Sequence, residues 1–97
     1  MTERKMLQVI GKNIRTARLK AGLTQECLAE LMGIHVQTLS NVERGVYPFS
    51  VTTFVLIKQY LGVDAERLLT DITEPDDERT ERIKRLFPRR RKPAARG

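Results

Sequence analysis

Apolar positions recur along the first seventy residues at helical intervals, and glycines break the runs. Leu7, Ile10, Ile14, Ala17 and Ala21 follow one another three or four residues apart, the period of a helix with one buried face. Gly22 then offers a left-handed stop. Thr24 predicts an N-cap with Gln25 and Glu26 in the first turn, and Leu28, Ala29, Leu31 and Met32 carry a second, shorter helix. Gly33 breaks it. His35 takes the cap position of a third helix that runs to Arg44, with Gly45 at C′. Ser50 caps a fourth, where Val51, Phe54, Ile57 and Leu61 form a face before Gly62. Asp64 opens a short fifth through Ala65, Leu68 and Leu69. Because no strand-like alternation appears, the expected fold is all-α, with five helices in this region.

The third of these segments, "GIHVQTLSNVERG", has an unusual polar side. At ~100° per residue, Leu39 and Val42 fall on one side of the helix, while Val36, Gln37, Ser40, Asn41 and Arg44 share the opposite arc. A face meant only for solvent favours long Glu and Lys side chains. Short amides and hydroxyls suit contact with another molecule. Two helices joined by a tight glycine turn, the second polar on its outer arc, predict a DNA-binding helix-turn-helix.

Composition sharpens that expectation. The 97 residues carry 18 Lys and Arg against 12 Asp and Glu, a net charge of +6, which favours a polyanionic partner. Residues 1–72 hold nine basic and seven acidic side chains, a net of +2; residues 73–97 hold nine and five, a net of +4. From Arg82 onward there are eight basic residues and no acid. The expected division is a helix-turn-helix domain over 1–72 and a charged, flexible extension over 73–97. Within the extension, "TEPDDERTERIKRLF" can form a marginal amphipathic helix on Ile83, Leu86 and Phe87, whereas Pro88, Pro93 and the arginine run predict disorder beyond it.

One cysteine, Cys27, and one histidine argue against a disulfide or a zinc site, so no metal or cofactor is expected. No constellation suited to catalysis appears, and no catalytic residue is assigned. The charged opening leads into no long apolar run, which predicts neither a secretory signal nor a membrane span and makes the cytoplasm the expected location.

"NIRTARLKAGLTQECLAELMGIHVQTLSNVERG" followed by "LIKQYLGV" resembles the lambda-repressor-like, or Cro-type, regulators of the XRE family. The resemblance spans roughly Ile10 to Leu69. It rests on the Leu-Thr-Gln opening, the small Ala29 where two helices cross, the turn glycine and the Ser-Asn-Val-Glu-Arg-Gly ending. It implies a sequence-specific regulator of double-stranded DNA, a repressor. Gln37 is then the first candidate for base reading, because an amide pairs with adenine through both its groups; Asn41 follows, Val36 suits a thymine methyl, and Ser40 is as well suited to a plain helix position. Gln25 would hold phosphate at a helix N-terminus, and Thr38, Arg44 and Tyr47 would hold the backbone. Arg18 and Glu43 correspond to a charged pair tying the first helix to the third. Two departures stand out. Relatives often place proline directly before the serine of the fourth helix, whereas here Phe49 separates Pro48 from Ser50, and His35 replaces a stronger cap.

Val55, Leu56 and Tyr60 exceed what one core face of the fourth helix needs. They are candidates for a homodimer interface, or for packing the tail; a two-fold dimer would read half-sites about 34 Å apart. The arginine-rich end suits either a DNA arm or a solubilising terminus. Two other functions fit the same residues. One is the antitoxin of a toxin–antitoxin pair, with the extension binding a protein partner; the other is a protein or RNA adaptor, although the five aromatics offer no clustered stacking platform.

Overall fold

The computed structural model describes residues 2–46, 48–72 and 76–88, with the backbone alone at positions 76 and 77. The expectations for Tyr47, for residues 73–75 and for the arginine-rich end from Arg89 to Gly97 lie outside the described residues. Helices are the sole regular structure among the described residues, in the order α1 (Glu3–Lys20), α2 (Gln25–Met32), α3 (Val36–Arg44), α4 (Val51–Leu61), α5 (Ala65–Leu68) and α6 (Asp76–Leu86).

The helix boundaries follow local chemistry. Thr2, Thr24 and Ser50 stand in extended conformation ahead of α1, α2 and α4, and each hydroxyl accepts a backbone N–H three residues on, at 3.0–3.1 Å. Such a cap satisfies one of the amides that a helix start leaves unpaired. His35 and Asp64 occupy cap positions without a side-chain cap bond.

Each of the first five helices contributes one fully buried large side chain: Ile14, Leu28, Leu39, Ile57 and Leu68. Burying each is worth ~1.5–3 kcal/mol relative to exposure. Three residues assigned to apolar faces lie outside this core. Ala21 is the exposed C-cap of α1, and Val51, at the first position of α4, is 79% exposed. Leu31 sits roughly 110° around α2 from the centre of its Leu28, Ala29 and Met32 stripe and is also exposed.

Two glycines let α1 and α3 approach closely. A Cβ on Gly11 would strike the carbonyl oxygens of Val42 and Glu43, and one on Gly45 would lie 2.6 Å from the Gln8 Cα. At the other face of α1, the Asn13 amide donates to the carbonyls of Leu68 and Thr70, both at 2.9 Å, and so clamps the end of α5. The helix α6 falls where the charged extension was expected; its Ile83, Leu86 and Phe87 are exposed. No helix among the described residues is long and apolar enough to cross a membrane.

Candidate nucleic-acid interface

The turn between α2 and α3 is built on Gly33, whose φ of 74° lies in the left-handed region that glycine adopts without steric cost. The Ile34 N–H then donates to the Ala29 carbonyl at 3.0 Å, closing the end of α2 and aiming the chain into α3. Leu39 and Val42 bury the inner side of α3. Val36, Gln37, Thr38 and Arg44 are exposed, and Ser40 is half-buried. The one acid of the helix, Glu43, points inward and is buried, so the outer arc carries a positive charge at Arg44 and no negative one.

Glu43 is the anchor. Its carboxylate accepts from Arg18 Nε at 2.6 Å and Nη2 at 3.1 Å, a two-pronged geometry that fixes both groups in orientation. A third Arg18 donor, Nη1, reaches the Leu23 carbonyl at 2.8 Å. The Gln25 amide nitrogen donates to Glu43 Oε1 at 2.9 Å. Gln25 therefore differs from the free phosphate ligand anticipated: part of its hydrogen-bonding capacity ties α2 to α3.

A second network organises the outer arc. Asn41 is 9% exposed, and its Oδ1 accepts from Gln37 Nε2 at 3.2 Å and from Arg44 Nη2 at 2.6 Å. Its carbonyl is thus committed to holding Gln37 and Arg44, where sequence reasoning assigned Asn41 to base contact. The Gln37 carbonyl and remaining amide hydrogen, and the other Arg44 donors, extend beyond this bond. The surface they form presents amide, hydroxyl, guanidinium and one apolar group, Val36. These are the groups that read base edges and hold phosphates.

Val55 and Tyr60 are exposed on α4, whereas Leu56 is partly buried against the core and offers less surface than its two neighbours. Cys27 is an exposed free thiol, and among the described residues no three His, Cys, Asp or Glu side chains form a group suited to a metal ion. Sequence reasoning missed the close approaches at Gly11 and Gly45. An isolated glycine inside a helical pattern, as at Gly11, is the signal that would have found one of them.

Comparison with known proteins agrees with this geometry. A family model described as helix-turn-helix matches residues 14–68. The chain is 36% identical to a propionyl-CoA carboxylase regulator of Cereibacter sphaeroides over 66% of its own length, but spans only 16% of that protein. An HTH-type transcriptional regulator of Sinorhizobium fredii is 37% identical over 71% of this chain and 90% of its own. The control protein C.SmaI of Serratia marcescens is 30% identical over 65% and 75% respectively. Among solved structures, the restriction-modification controller protein C.AhdI of Aeromonas hydrophila superposes with a TM-score of 0.61 at 31% identity, covering 64% of this chain and 94% of that one.

Proposed function

This chain belongs to the XRE-type helix-turn-helix family of DNA-binding transcriptional regulators, and we propose that it is a sequence-specific repressor that reads the major groove with α3 as a homodimer. Residues 1–72 form the DNA-binding domain in this reading, and 73–97 an extension. The observation that carries it is the outer arc of α3, where Asn41 holds Gln37 and Arg44 on a helix whose only acid is buried.

Gln37 reads a base through its free carbonyl and amide hydrogen, Val36 packs on a thymine methyl, and Ser40 makes a short polar contact. Asn41 acts mainly by positioning its two partners. Arg44 and Thr38 hold phosphates, with Gln25 contributing what its bond to Glu43 leaves available. Val55 and Tyr60 form the centre of the dimer contact, with Leu56 at its inner edge. The role is non-catalytic and needs no cofactor. Selection of bound duplexes from a randomised pool tests the reading: wild-type protein should enrich a palindrome, and Gln37→Ala should relax one defined position in each half-site. Enrichment of nothing above salt-sensitive background would sink it.

A second reading, the autoregulating antitoxin, is favoured by α6, whose exposed Ile83, Leu86 and Phe87 offer an apolar edge for a protein partner. It predicts that removing residues 76–97 leaves operator binding intact while abolishing a stoichiometric complex with a protein encoded beside it.

A further inference from the structure

The first three turns of α1 lie ahead of the family match, which begins at residue 14, and no role has been given to their polar side chains. They are docked on the exit of the recognition helix. Gly45 sits with its φ of 68° against the backbone of Leu7 and Gln8, and Gly11 lies against the carbonyls of Val42 and Glu43. A cleft of about 320 Å³ opens at this junction, lined among others by Glu3, Arg4, Gln8, Arg44 and Pro48. Arg44 belongs to the outer arc of α3, so the cleft is continuous with the surface assigned to DNA.

We infer that Arg4 and Arg44 together form a phosphodiester-binding cleft, through which α1 grips the DNA backbone beside the end of the recognition helix. This rests on the DNA-binding reading and adds a contact outside the motif shared with relatives. Three features support it. Arg4 makes no ion pair or side-chain hydrogen bond among the described residues, so its guanidinium is available to a ligand. Arg44 is held by Asn41 Oδ1 through one nitrogen, which fixes the direction of a group with further donors to offer. Two planar guanidiniums flanking one cleft suit the paired oxygens of a phosphate.

Glu3 is the one acid lining the cleft, leaving a local net charge of +1 against the single negative charge of a phosphodiester. The close α1 to α3 packing matters for the same reason: it lets a rigid helix, rather than a mobile arm, present Arg4 at a fixed distance from Arg44. The contact reads no base. It adds affinity and sets the register in which Gln37 meets the groove.

The test measures dissociation constants across a salt series for wild type, Arg4→Gln, Lys5→Gln and Glu3→Gln, each on the selected duplex and on a scrambled one. Lys5 is the internal control, an exposed cation in the same helical turn, roughly 100° around α1 from Arg4. Arg4→Gln should reduce the salt slope by about 0.9 and weaken both duplexes by about fivefold near 0.15 M salt, the effect of one lost phosphate contact. Lys5→Gln should keep the wild-type slope, and Glu3→Gln should tighten both duplexes. Equal slopes for Arg4→Gln and wild type, or equal losses for Arg4→Gln and Lys5→Gln, would overturn the cleft. Failure of the underlying reading shows separately, as wild-type protein that does not distinguish the selected duplex from the scrambled one.

Discussion

Arg18 of α1 and Glu43 of α3 meet in a buried two-pronged ion pair, their side chains 6% and 2% exposed. The pair joins the longest helix to the recognition helix, and Gln25 of α2 donates into the same carboxylate. Three helices thus share one anion, which sets the angle at which α3 leaves the body of the domain.

Removing one member should be costly. Arg18→Ala strands the Glu43 carboxylate in the core and is expected to destabilise the fold by about 3–5 kcal/mol, as is Glu43→Ala from the other side. The double substitution Arg18→Met, Glu43→Leu should regain much of that loss, since no buried charge is left unpaired. Urea unfolding of the four proteins measures the coupling; additive losses would refute it.

Two glycine substitutions should separate steric from conformational strain. Gly11→Ala places a methyl against the backbone carbonyls of α3 and should cost at least ~1–3 kcal/mol, the usual range for overpacking a tight contact. Gly22 has φ of 77° with open space around it, so Gly22→Ala should cost ~1–2 kcal/mol from the left-handed backbone alone. Only the Gly11 change should also weaken DNA binding, because only it displaces α3. Thermal midpoints and operator affinities of both variants check this.

Gln37→Ala should cost about 1–3 kcal/mol of discrimination at one base position. Asn41→Ala releases Gln37 and Arg44 together. It should therefore blur selectivity at that same position and lower affinity for all sequences, a joint signature that neither partner's substitution gives alone. Competition binding with single-base operator variants reads both effects.

Val55→Glu or Tyr60→Glu should convert a dimer to a monomer in sedimentation analysis and abolish preference for palindromic over single half-sites. Both side chains are more than 40% exposed in the isolated chain. Their replacement should therefore leave monomer stability within about 0.5 kcal/mol of wild type.

The helical elements were legible in the sequence because the signals are local. Threonine and serine caps, left-handed glycines at 33, 45 and 62, and apolar spacings of three and four each act within one turn of chain. The polar arc of α3 was legible for the same reason. The resemblance to a known family supplied the pairing of Arg18 with Glu43, which no local rule provides, since the two lie 25 residues apart.

Tertiary structure alone decided which of these groups are free to act. Asn41 shares an arc with Gln37 by helical geometry, but packing buries it and turns its carbonyl toward Gln37 and Arg44. Gln25 opens α2 by sequence, yet its amide is directed to Glu43 by the approach of α3. Arg4 and Arg44, forty positions apart, line one cleft because glycines at 11 and 45 permit two backbones to touch. Sequence periodicity determines the side of a helix on which a residue lies. What that side meets depends on contacts between distant segments, and those exist only once the core of Ile14, Leu28, Leu39, Ile57 and Leu68 has closed.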